Sequence, residues 1–164
     1  LDASFLRFCI TSSNSCPSIF IYSNPSSDGT IFLKASPTPV LSSDGWSNIS
    51  AGLAHTAAIK TDGTLWTWGC NASGQLGDNT TISRSSPGAT AGGGTTWFQV
   101  SGGVVNTAAV KTDGTLWTWG LNNSGQLGTN TTENRSSPGT TAGGGITWCQ
   151  VGSSGYHTAA LAIC

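Results

Sequence analysis

Residues 60–77 read KTDGTLWTWGCNASGQLG, and 51 residues later the chain repeats itself as KTDGTLWTWGLNNSGQLG at 111–128. The offset holds well outside that stretch: Trp46, Trp97 and Trp148 fall in step, as do Gly74 with Gly125 and Pro87 with Pro138. Between residues 46–96 and 97–147, 36 of 51 aligned positions are identical, which points to tandem duplication rather than to two separate chemistries. A period of this length belongs to propellers and solenoids, in which one repeat buries its apolar face only when a neighbour stacks on it. A third copy starts at Trp148 and is cut short, so the 164 residues read as blades of an incomplete or fragmentary ring.

Within one period the strands can be read directly. Residues 46–51, 55–60 and 64–68 are short runs of β-formers, and Asp62-Gly63 between the last two is a hairpin signal, printed again at Asp113-Gly114. Alternation puts Trp66 and Trp68 on one face of the third strand. Over residues 56–59 and 65–68 neither face carries a charge, so both faces are expected to be covered, with alanines allowing close approach and tryptophans filling the gaps. Residues 69–77 turn, and 78–95 form a long polar excursion ending in three glycines, the kind of surface segment where binding evolves.

Charged residues are 8% of the chain, against roughly 25% in an ordinary globular domain, and the formal net charge is −1. That removes the basic footprint that nucleic acid requires. No run is long or apolar enough to span a membrane as a helix. Gly-, Ser-, Thr- and Asn-rich composition permits disorder, but seven periodically placed tryptophans argue for packed, turn-rich, all-β structure.

Residues 1–44 fall outside the period. They contain a hairpin pattern around Asn24 to Gly29 and a Pro37/Pro39 linker, and read as a cap or a degenerate blade ahead of repeats at 46–96, 97–147 and 148–164. Leu1 to Ile10 has the apolar flavour of a signal-peptide remnant without its basic start or cleavage site. The five cysteines form no CxxC pair and no zinc-finger spacing, so neither metal nor cofactor is expected. Cys9 and Cys16 are close enough in sequence to pair. Cys70 and Cys149 replace Leu121 and Phe98 of the sister repeat and read as small apolar core residues.

The combination HTAAIKTDGTLWTWG…GQLG at 55–77, NTAAVKTDGTLWTWG…GQLG at 106–128 and GYHTAAL at 155–161 resembles the RCC1 (regulator of chromosome condensation) repeat family, in its bacterial or viral form. The resemblance implies a β-propeller of four-stranded blades, ordinarily seven. The family includes a nucleotide exchange factor for a small GTPase that docks on chromatin, together with scaffolds, receptor ectodomains and photoreceptors, so the fold alone selects no function. The chain departs from the pattern at Asn106, where the other copies have His55 and His157, and has no stretch matching an exchange loop or a basic tail.

Each residue that invites chemistry has a structural reading. His55 and His157 open core strands with no nucleophile or carboxylate at triad or metal spacing. Asp62 and Asp113 are turn residues rather than the carboxylate pair of a glycosidase. The glycine triplets lack the Lys-Ser or Lys-Thr of a phosphate cradle. Trp66, Trp68, Trp117 and Trp119 belong to the blade core, whereas Trp46, Trp97 and Trp148 lie nearer its edges, where a glycan-stacking role is open. Sequons occur at Asn48, Asn71, Asn79, Asn122, Asn130 and Asn134. Arg84 and Arg135 recur in register and read as loop anchors.

The expectation is therefore a non-enzymatic interaction module that recognises a protein or a surface glycan through its long loops. Its candidate contact residues are those that differ between copies on a fixed frame, with the recurring arginines beside them: Asp78, Ile82, Ser83 and Arg84, matched by Thr129, Glu133, Asn134 and Arg135. The alternative is a structural component of a larger extracellular or virion assembly, a tail, fibre or decoration protein, possessing strand edges that a partner subunit or another copy covers. Either places the chain outside the cell, on its surface or in a virion. An exchange factor or hydrolase ranks last, because only residues 1–44 are left to supply a catalytic loop.

Overall fold

The structure is a computed structural model and describes residues 45–144 and 146–162. The hairpin, linker, leader and Cys9–Cys16 readings of residues 1–44 lie outside them. The described chain is all-β, with strands β1 (Trp46–Ala51), β2 (His55–Lys60), β3 (Leu65–Gly69), β4 (Arg84–Ala89), β5 (Trp97–Gly102), β6 (Asn106–Lys111), β7 (Leu116–Gly120), β8 (Arg135–Thr140), β9 (Trp148–Ser154) and β10 (His157–Ala162). They form two four-stranded antiparallel sheets, β1-β2-β3-β4 and β5-β6-β7-β8, and a two-stranded sheet of β9 and β10. Among the described residues the three sheets are successive blades that do not close into a ring.

The hairpin signal is correct, with a boundary moved by one residue. Gly63 closes the turn with its N–H on the Lys60 carbonyl at 2.9 Å, in a left-handed conformation at φ 79°. Thr64 belongs to the turn rather than to β3, because its N–H and hydroxyl both donate to Asp62 Oδ1, at 2.9 and 2.6 Å. The side-chain hydrogen bond and the backbone N–H of Thr64 hold the Asp62 carboxyl below its ordinary range, and Thr115 does the same for Asp113. The Gly63 carbonyl accepts the Trp97 N–H at 3.1 Å, tying the turn to the next blade.

The polar excursion read over 78–95 contains a fourth strand. β4, RSSPGA, shows no apolar alternation because it is an edge strand, paired on one side through Trp66↔Ala89, Thr67↔Gly88 and Gly69↔Arg84. Pro87 is tolerated there for the same reason.

Burial follows the stacking. All five residues from His55 to Ile59 are buried, as are Asn106 to Val110, whereas the same pattern in β10 alternates between exposed and half-buried. One inter-blade core joins Ala57, Ile59, Leu65, Val100, Ala109 and Trp119, with Trp97; a second joins Ala108, Val110, Leu116 and Val151. Trp97 meets Trp117 edge-on at 5.9 Å, and Lys111 Nζ lies over both rings at 4.6 and 4.2 Å. Lys60 sits in the same way over Trp46 and Trp66.

Polar side chains stitch the first strands of successive blades together. Val100 N–H donates to Asn48 Oδ1 at 3.2 Å and Gly102 N–H to Ser50 Oγ at 2.9 Å. One blade later Val151 N–H donates to Gln99 Oε1 at 2.9 Å and Ser153 N–H to Ser101 Oγ at 2.8 Å. Cys70 and Cys149 are not simply apolar substitutes: both are disulfide-bonded, and the chain's other three cysteines lie outside the described residues.

Candidate functional site

The segments joining β3 to β4 (70–83) and β7 to β8 (121–134) hold all the candidate contact residues except Arg84 and Arg135, which open β4 and β8. Each segment is organised by one asparagine. Asn71 is fully buried; its Oδ1 accepts the Leu76 N–H at 2.9 Å, and its Nδ2 donates to the carbonyls of Thr80 and Ile82 at 3.0 and 3.1 Å. Asn122 repeats this with the Leu127 N–H at 2.9 Å and the Thr131 carbonyl at 2.9 Å. Thr67 and Thr118 fix the far side by donating to the Leu76 and Leu127 carbonyls, at 2.6 and 2.7 Å. An irregular segment thus satisfies its backbone groups through its own side chains.

The positions that differ between copies fall into two groups on this frame. Asp78 and Ser83 hold the loop: Asp78 Oδ1 accepts the Thr80 N–H and hydroxyl at 3.1 and 2.7 Å, and Ser83 Oγ accepts the Asn71 N–H at 3.2 Å. In the second blade Thr129 bonds to Asn122 and Thr131 instead, and Asn134 Oδ1 takes the Asn122 N–H at 2.8 Å. Ile82 and Glu133 face solvent, Ile82 at 73% exposure.

Arg84 pairs with Asp78 at 2.6 Å. Partial burial pushes the Asp78 carboxyl upward, but hydrogen bonds from Thr80 and Asn71 and the Arg84 charge outweigh it, leaving the group below its ordinary range. In the second blade Thr129 stands at the position of Asp78, and Arg135 donates to the Thr140 carbonyl at 3.3 Å, as a loop anchor does. The first loop also lies along the next blade's edge: the Asn79 N–H donates to the Ser136 carbonyl at 2.8 Å from a left-handed conformation at φ 64°.

The remaining candidates are built into the frame. His55 Nε2 meets Thr107 Oγ1 at 2.8 Å across the blade boundary, and the Thr107 hydroxyl donates to the Gln75 carbonyl at 2.8 Å. Because a carbonyl only accepts, Thr107 must take its other bond from Nε2–H, which leaves Nδ1 unprotonated, buried and without a partner among the described residues. Burial lowers the His55 pKa to about 4. His157, at the equivalent place on the open hairpin, is exposed. Gly93 of the first glycine triplet carries the carbonyl that accepts Trp97 Nε1–H at 3.0 Å. Asn71 and Asn122 are buried hubs and not glycan acceptors, and Asn48 is bonded to Val100. Among the described residues no three His, Cys, Asp or Glu side chains gather as metal ligands.

Sequence reasoning missed the two asparagine hubs and the amide–hydroxyl stitching between blades. Their signal was identity in register: Asn71 and Asn122 stand five residues before Leu76 and Leu127 in both copies.

Comparison with known proteins agrees with this geometry. The family model described as Regulator of chromosome condensation (RCC1) repeat matches residues 62–110 and 113–161, and a second model of that description matches 46–75 and 99–126. The chain is 37% identical over 91 residues to the X-linked retinitis pigmentosa GTPase regulator homolog of Caenorhabditis elegans, covering 55% of this chain and 7% of that protein. It is 35% identical over 104 residues to the human probable E3 ubiquitin-protein ligase HERC4, covering 58% and 9%. It therefore spans under a tenth of the length of either relative. Among solved structures, Prp20p from Saccharomyces cerevisiae, described with its binding to Gsp1p and histones, superimposes with a TM-score of 0.65 at 17% identity, covering 84% of this chain and 36% of that one. Human WBSCR16 gives 0.64 at 23% identity, covering 71% and 31%.

Proposed function

We propose, because this chain belongs to the regulator of chromosome condensation (RCC1) repeat family, that it is a non-enzymatic protein-binding module whose contact surface is the pair of loops at 70–83 and 121–134. One observation carries this reading. The two loops share a frame built on Asn71 and Asn122, yet the tip side chain is an exposed isoleucine in one and an exposed glutamate in the other. A fixed frame with variable, solvent-facing tips is how a rigid scaffold displays a recognition surface. Prp20p offers the precedent of this fold with protein partners. The disulfide-bonded Cys70 and Cys149 favour an oxidising compartment, so the partner is sought outside the cell or on its surface.

The test is site-specific photo-crosslinking in the native extract. A crosslinker at position 82 or 133 is expected to capture a discrete partner that the same group at Thr112, at the opposite end of the blade, does not. Equal capture from all three positions, or capture from Thr112 alone, overturns the assignment to the loops.

A further inference from the structure

At the end of the blades opposite the loops, one position in every repeat is squeezed out of the sheet. In β1 the pairing steps from Trp46↔Lys60 to Asn48↔Ile59, in β5 from Trp97↔Lys111 to Gln99↔Val110, and in β9 from Gln150↔Leu161 to Trp148↔Ala162. Ser47, Phe98 and Cys149 are thus the extra residues of three equivalent β-bulges. A bulge interrupts the ladder locally, leaves its extra residue out of the pairing and re-aims that residue's side chain. The three occupants differ completely where the flanking tryptophans are invariant.

All three bulge residues line one cleft of about 670 Å³, within the range of small-ligand sites. Beside them stand Asn48 and Gln99, the amides of the inter-blade stitching, and Gln150. The N–H of Val100 requires an oxygen from Asn48, and that of Val151 requires one from Gln99. The amide nitrogens of these two side chains are then the atoms left for the cleft, as donors. Asp62 supplies the acceptor: Thr64 occupies its Oδ1, and the exposed carboxylate keeps a second oxygen. Phe98, 58% exposed, contributes an aromatic face. The Lys60 ammonium is drawn over the Trp66 ring at 4.5 Å and counterbalances the Asp62 charge.

We infer that this cleft is a binding site for a neutral saccharide. The apolar face of a sugar ring stacks on Phe98, its hydroxyls accept from the Asn48 and Gln99 amides, and one hydroxyl donates to Asp62. The bulge position sets which sugar fits, because it is the wall residue that the frame leaves free to vary. This site lies at the opposite end of the blades from the loops at 70–83 and 121–134 and does not depend on them.

The experiment titrates the full chain with glucose, galactose, mannose, N-acetylglucosamine, lactose and cellobiose, read by saturation-transfer NMR and by tryptophan fluorescence, since Trp97 lines the cleft. At least one sugar is expected to bind saturably. Phe98→Ala should weaken it about tenfold. Gln99→Glu should weaken it comparably, since the glutamate still accepts the Val151 N–H but has no amide donor. Leu53→Ala, in the exposed turn between β1 and β2, should leave it unchanged, and near-UV circular dichroism confirms that each variant is folded. The proposal is overturned if no sugar binds, if both cleft variants bind within about twofold of the parent, or if the cleft takes a short extended peptide and none of the sugars.

Discussion

His55 and Asn106 occupy the same place in successive blades, each reaching across the boundary to the hydroxyl of a threonine one blade on, Thr107 or Thr158. The imidazole is neutral in the fold, and burial holds it near 4 while an unfolded chain titrates it near the ordinary 6.5. Between those values the unfolded state binds the extra proton, so stability is complete above about pH 6.5 and is lost as pH falls toward 4, by about 3 kcal/mol in all. His55→Asn, which installs the sister blade's solution, should flatten that acid limb in urea melts at pH 4.5 and 7.5. An unchanged slope would show that another group sets it. The structural role of His55 was legible from its place at the start of a strand; its partner was not, because a residue about one period away in sequence supplies the hydroxyl.

At the scale of elements, the hairpins were readable because Asp-Gly between β-formers leaves one economical turn. β4 and β8 were not, since an edge strand paired on one side needs no alternation and tolerates proline. The loops were recognised as loops from their composition, yet what gives them a single shape is a buried asparagine that sequence alone presents as a sequon. Asn71→Ala should cost about 2–3 kcal/mol, because it orphans the Leu76 N–H and the Thr80 and Ile82 carbonyls together. Ala72, the next residue, is exposed, so Ala72→Ser serves as the neutral control in the same denaturation series.

Across the whole molecule, blades are joined by a polar contact that one of them lacks. Trp119 Nε1–H donates to the Gln75 carbonyl of the preceding blade at 2.9 Å, whereas Trp68 Nε1, equally buried, has no partner among the described residues. Trp119→Phe and Trp68→Phe empty the same volume at equivalent sites, so their difference isolates the hydrogen bond. Trp119→Phe should be the more damaging by about 1–3 kcal/mol in thermal or urea unfolding. Equal losses would mean that the inter-blade bond contributes nothing net. The stacked architecture itself was legible from the period and from the uncharged runs at 56–59 and 65–68, which make sense only when both sides are covered.

The strands β3 and β7 are the same five residues, Leu-Trp-Thr-Trp-Gly, and they meet β2 and β6 in the same register from Gly69 and Gly120 to Leu65 and Leu116. A chain emerging from denaturant therefore has no local means of telling one from the other. β2 can zip onto β7 with every side-chain pairing satisfied, and two chains can trade these strands as readily as one chain can keep them. Only the short tether through the Gly63 turn favours the neighbour. The duplication that makes the blades easy to stack also makes correct assembly a matter of timing and dilution, with crowded refolding entangling the chains that dilute refolding keeps apart.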